Sequence, residues 1–304
     1  MVMIKRVLAL LGSGALAILL LRQAETAAQA VRDGVQLCLT SVVPALFPFF
    51  AVSSLLVALG AAEAAGRALA RPFGQLFRCG GAGCAALLLG LVGGYPVGAR
   101  TAAELVRRGE LSPAEGARLL TFCNNAGPAF AIGVAGVSVF GSARTGGWLY
   151  LLHCAAALLT GLLFCRRPLP VTAMPKRPVP PQTGLTGQFL RAVEGAVSAM
   201  ARVCGFVVFF LVLLRLAEGL IGPLPPLAAG VLELTNGILR LTPDRRGFVT
   251  AAALLGWGGL SVHCQTAAVT AGSGISLRLY LPAKAVQAAL SAGLAALLAP
   301  YLLP

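Results

Sequence analysis

The chain has 304 residues, 58% hydrophobic and only 11% charged, with a net charge of +14, a pI near 10.4 and a mean hydropathy of +0.85. Soluble domains carry roughly 25% charged residues, so the composition argues against a soluble enzyme or binding module and for an integral membrane protein. The basic surplus sits at the ends of apolar segments, as expected for Lys and Arg kept on the cytoplasmic side, and without aromatic-basic motifs it does not indicate nucleic acid; a basic vestibule for an anionic solute is the other reading.

In chain order, residues 1–34 are expected to form a membrane helix, about Val7 to Leu21, followed by an interfacial segment containing Glu25, Arg32 and Asp33. Lys5-Arg6, the apolar core and Ala28-Gln29-Ala30 would also suit a cleaved signal peptide. With so many further apolar runs, an uncleaved helix is the simpler expectation. Residues 35–165 form a first repeat. It opens on the long segment 35–60, which Pro44 and Pro48 should kink. A basic connection with Arg67, Arg71 and Arg78 follows. The apolar run "AALLLGLVGG" is then cut at Gly93, Gly94, Tyr95 and Pro96, and Arg100 stands just beyond the cut. Ser112-Pro113-Ala114-Glu115 reads as a helix start with a capping serine and an early proline. "TFCNNAGPAF" places Asn124 and Asn125 in an otherwise apolar stretch. A further span covers 147–165, with His153 inside it as a structural histidine. Residues 166–190, rich in Pro and basic side chains, read as an extended cytoplasmic linker. Residues 191–304 form a second repeat, with spans near 192–217 and 279–298 around "ELTNG" and "GWGGLSVHCQT".

The halves resemble each other. Gly93-Gly94 can be laid on Gly258-Gly259, Val97 on Val262 and Thr101 on Thr266, and Phe49-Phe50 corresponds to Phe209-Phe210. Internal repeats around a midplane site are a common transporter plan. Counting spans from Lys5-Arg6 inside gives two re-entrant hairpins entering from opposite faces, one at each Gly-Gly pair. The fold expected is all-α and polytopic, with about seven to eight membrane segments and two inverted repeats. If the hairpins span fully, the assignment changes.

A helix broken in the membrane leaves backbone groups unpaired, which persists only where protein, water or a ligand satisfies them. The candidate binding residues are therefore those at the breaks: Gly93, Gly94, Tyr95, Pro96, Arg100, Asn124, Asn125, Gly258, Gly259, Ser261, His263 and Gln265. If the chain is extended at 261–265, Ser261, His263 and Gln265 share one side. Arg100 pairs either with an anionic solute or with Glu104 one turn on. The paired asparagines suit either a polar solute or helix–helix bonding. Glu233 and Asn236 are candidates for ion or proton coupling, or else belong to an interfacial helix. The eight cysteines include no CxxC pair and read as buried free thiols acting as small hydrophobes. No metal, cofactor, catalytic triad or enzyme activity is expected.

"GGYPVGA", "GELSPAEGARLLTFCNNAGPAF", "ELTNG" and "GGLSVHCQT" together resemble the sporulation integral membrane protein YlbJ family, within the group sharing the nucleoside-transporter/FeoB gate domain. The resemblance covers nearly the whole chain. It implies two gate-like repeats in a bacterial cell membrane, specifically the outer membrane around the forespore, and movement of dipicolinic acid during spore maturation. The partners implied are a small anionic or polar organic solute and the lipid bilayer, and homo-oligomers are left open. The alternative is a non-transporting membrane scaffold needed for spore cortex assembly.

Overall fold

The structure, a computed structural model, describes residues 2–166 and 184–303. Most of the expected linker, 167–183, therefore lies outside the described residues, which contain helices and no strands. Before that gap come α1 (Val2–Arg22), α2 (Ala24–Leu37), a π-helical turn Cys38–Val42, α3 (Val43–Ala58), α4 (Ala61–Phe77), α5 (Gly83–Gly93), α6 (Val97–Arg107), α7 (Pro113–Leu120), a π-helix Ala129–Val139 and α8 (Ala143–Phe164). After it come α9 (Leu185–Ile221), α10 (Pro226–Leu232), α11 (Leu234–Leu239), α12 (Arg245–Trp257), α13 (Gly259–Thr270) and α14 (Tyr280–Leu302).

Among the described residues, four helical stretches are long and apolar enough to cross a membrane, or five if α1 and α2, bent by 94°, make one span. Shorter apolar helices, including Gly83–Gly93 and Ala129–Val139, precede α8 in the chain. The expected interfacial segment is α2, whose small face of Ala27, Ala30 and Gly34 is buried. It packs on α9, where Gly34 lies so close to Val208 that a Cβ would sit 3.1 Å from its Cα. The kink expected near Pro44 is met by the π-helical turn just before it, while α3 continues through Pro48.

Helix starts follow local chemistry. Ser112 and Glu115 form a capping box at α7. Ser142 caps α8 by accepting from the Thr145 N–H, and Asp244 caps α12 by accepting from the Gly247 N–H. Each satisfies a backbone donor that the first helical turn leaves free.

α5 and α6 fold back on each other as a hairpin with Gly94, Tyr95 and Pro96 at its tip. Each limb has 11 residues, about 16 Å of helix, or half a bilayer core of roughly 30 Å. The corresponding hairpin in the second half is not at Gly258-Gly259. There α12 and α13 run on as one apolar span of 26 residues, Arg245–Thr270. Gly258 and Gly259 both have positive φ, 91° and 83°, which interrupts the helix without reversing it. The hairpin is instead α10/α11, with Glu233 at its tip, where Gly230 and Gly237 approach until a Cβ on Gly237 would strike the Gly230 Cα at 2.1 Å.

Each half thus runs hairpin, broken helix, long helix: α5/α6, α7 with the π-helix, α8; then α10/α11, α12/α13, α14. Each hairpin tip sits on the break of its own half. A Cβ on Gly94 would lie 2.8 Å from the Gly127 nitrogen, and one on Gly259 would lie 3.0 Å from the Leu234 nitrogen. The halves also cross, α6 packing on α13 and α11 on the π-helix.

Candidate functional site

The four interruptions meet. A cavity of about 50 Å³ is lined by Tyr95 from the first hairpin tip, Ala126 and Gly127 from the first break, Glu233, Leu234 and Thr235 from the second tip, and Ser261, Val262 and Gln265 from the second break. Val42, Leu46, Phe130, Val203 and Val207 complete it with apolar side chains. That volume has room for a few waters or a small polar group. Ser261 Oγ is buried without a hydrogen-bond partner. A polar atom left bare in such a place is one a ligand or water would satisfy.

Because α13 is helical, Ser261 and Gln265, one turn apart, reach the cavity together. His263 does not share their side. The extended conformation that would align all three is absent, and a helix turns the residue at i+2 away. His263 instead packs edge-on against Trp257 and Tyr280, with Nδ1 3.2 Å from the Tyr280 hydroxyl. His153, in α8, accepts from the Ala126 backbone N–H at 3.0 Å and so satisfies a donor freed by the first break.

Asn124 and Asn125 are fully buried and bind across the halves. Asn124 donates to Thr266 Oγ1 at 2.8 Å and to the Tyr280 hydroxyl at 3.3 Å. Asn125 donates to the Phe122 carbonyl at 2.7 Å and accepts from Gln287 at 2.9 Å. Tyr95 donates to the Leu255 carbonyl at 2.9 Å. Beside these lies a side chain the sequence reading passed over, Lys284, fully buried in α14 with Gln287 and Ser291. The signal was present. Lys284, Gln287 and Ser291 recur at i, i+3 and i+7 in an otherwise apolar span, and they face inward while Leu281 and Leu297 on the same helix are 45% and 68% exposed.

Glu233 and Asn236 lie at the second hairpin tip rather than on an interfacial helix. The Glu233 carboxylate caps α11, accepting from the Asn236 N–H and from its side-chain amide, both at 2.8 Å. Arg100 is away from the central cavity and makes no ion pair with Glu104, whose carboxylate pairs with Arg107 and Arg108. Its guanidinium reaches the Gly195 carbonyl at 3.3 Å. It lines a second cavity of about 120 Å³ together with Pro96, Arg202 and Gln265. Val203 and Gln265 border both cavities. The candidate residues therefore divide into a polar core around the central cavity and a basic chamber next to it.

Residues 39–143 match the family described as Gate: nucleoside recognition, a stretch running from the π-helical turn through the first hairpin and break to the start of α8. The chain is 26% identical over 310 residues to the sporulation integral membrane protein YlbJ of Bacillus subtilis (strain 168), across 85% of this chain and 74% of that relative. No solved structure matches. The resemblance read from the motifs is thus shown: this is an integral membrane protein similar to the sporulation protein YlbJ along most of its length, and its residues 39–143 match the Gate family.

Proposed function

We propose that this protein is a transporter of spore formation that moves a small anionic or polar organic solute, dipicolinate in the first place, across a membrane around the forespore. The observation that supports this reading best is the meeting of two hairpin tips and two helix breaks at one cavity. Broken helices aim partial charges and unpaired backbone groups at a solute, and repeats built around such a site are a transporter plan. The neighbouring chamber, with the Arg100 and Arg202 guanidinium groups, gives an anion a favourable approach. The relative's name carries sporulation, and the matched family's description, nucleoside recognition, is consistent with a small polar solute. In this reading no bond is made or broken.

The test is uptake of labelled dipicolinate by proteoliposomes holding the full chain. Wild type should accumulate it above empty vesicles. Ser261→Ala, which removes one hydroxyl from the cavity wall and leaves the fold's contacts intact, should slow uptake several-fold. Folded, inserted protein that moves no dipicolinate overturns the reading and favours a scaffold role in cortex assembly.

A further inference from the structure

The setting of Lys284 carries an inference that holds for any solute. Its ammonium lies 2.7 Å from Gln287 Oε1, 3.0 Å from the Asn124 carbonyl and 3.3 Å from the Tyr95 hydroxyl. The direction of each bond is fixed by its neighbours. The Phe122 carbonyl can only accept, so Asn125 turns its amide nitrogen to it and its oxygen to Gln287. Gln287 then presents its own oxygen to the lysine. Tyr95 spends its hydrogen on the Leu255 carbonyl and can only accept from Lys284. Three acceptors need three hydrogens, which a lysine has only as the ammonium ion.

The ion pairs seen include Glu104 with Arg107 and Arg108, and Glu218 with Arg215 and Arg240. None includes Lys284. A buried charge without a counter-ion is costly, so its retention calls for a reason. Direct binding of a solute is a poor one, because every hydrogen on the nitrogen is already held by a protein oxygen. The oxygens themselves suggest another. A backbone carbonyl freed by a broken helix, a hydroxyl and an amide oxygen make the kind of donor set that holds a coupling cation in transporters of this plan.

We propose that the Lys284 ammonium occupies a coupling-cation site, so that the protein carries its cation covalently and needs no free Na⁺ or K⁺ there. The site belongs to the first break and ties it to α14. Removing the side chain should expose the vacated oxygens to small cations from solution.

The test uses full-length protein in detergent, melted in NaCl, KCl, ethylammonium chloride or choline chloride at equal ionic strength. Wild-type melting should not depend on the cation. Lys284→Ala and Lys284→Ser should lose several degrees in choline, and at least one small cation should restore most of the loss along a saturating curve. Lys284→Met, which fills the space with an uncharged chain, should show no such recovery. A saturating Na⁺ or K⁺ stabilisation of the wild type overturns the proposal. So do folded Ala and Ser variants that ignore all three small cations, or a Met variant that responds. The wild-type arm decides alone if the small variants do not fold. Failure of dipicolinate uptake would leave this result untouched.

Discussion

Gly98→Ala is the most direct probe of how the first hairpin is held to the first break. The Cys123 carbonyl projects between α5 and α6, where a Cβ on Gly90 would lie 1.8 Å from its oxygen and one on Gly98 would lie 1.9 Å away. The two glycines also face each other, each prospective Cβ falling 2.9–3.0 Å from the opposite Cα. An ordinary carbon–oxygen contact is about 3.3 Å, so the alanine demands a backbone shift of roughly 1.4 Å. No flexible side chain is there to swing aside. Overpacking costs about 1–3 kcal/mol and occasionally more, and a clash made wholly with backbone belongs at about 3 kcal/mol. At about 2 °C per kcal/mol for a large chain, the melting temperature in detergent should fall by about 6 °C. Gly147→Ala is the control. It lies in α8 with nothing within 4 Å of a new Cβ, and replacing a mid-helix glycine gains about 0.5–1 kcal/mol. Equal melting of the two variants by thermal-shift fluorescence would refute the clamp.

Three further outcomes are expected. Asn125→Ala strands the Gln287 amide and the Phe122 carbonyl together, and at about 1–3 kcal/mol for each unpaired buried group its melting should fall more than that of any surface alanine variant. Glu233→Ala removes a helix cap worth about 1 kcal/mol, whereas Glu233→Gln keeps an accepting oxygen; if thermal denaturation finds both equally harmful, capping is not what the carboxylate does. The Gly247 N–H and the Thr242 hydroxyl hold the Asp244 carboxyl below the usual aspartate range. Its stabilisation is complete above the ordinary aspartate pKa and is lost as the pH falls through the lowered folded value, so an acid titration of helicity should be shallower in Asp244→Asn, and an unchanged profile would remove Asp244 from the account.

Much of the first half was legible in the sequence. Gly93-Gly94 followed by Tyr95-Pro96 announces a reversal, and Ser112 with Glu115 announces the start of α7, because both are local rules of backbone geometry. The second half misled for a physical reason. Gly258-Gly259 looks like Gly93-Gly94 in the string, yet a glycine pair permits positive φ without dictating whether the chain turns back. The contacts beyond the pair decide that, and here the α10/α11 tip packs directly against Gly259. "ELTNG" carried the hairpin in a form the string does not advertise. Its turn rests on an acidic cap and on Gly230 meeting Gly237, not on a Gly-Pro signature. The signal of Lys284 is a polar stripe along an unbroken helix, with Gln287 and Ser291, and interruptions in apolar runs do not point to it. The union of the two asparagines with that stripe is a tertiary fact, joining residues some 160 positions apart.

Glu115 bears on which parts of the protein can move. One of its carboxylate oxygens receives the Gly80 N–H at 2.9 Å, just ahead of α5, and the other receives the N–H and hydroxyl of Ser112 at the head of α7. The root of the first hairpin and the start of the next helix are therefore riveted by a single side chain. Any swing of that hairpin must pivot at this rivet and grow towards Tyr95, as a door moves least at its hinge post. The largest excursion would then fall at the tip, where Tyr95 both closes the cavity and grips the Leu255 carbonyl. Opening the central cavity and releasing the Leu255 carbonyl would be the same stroke.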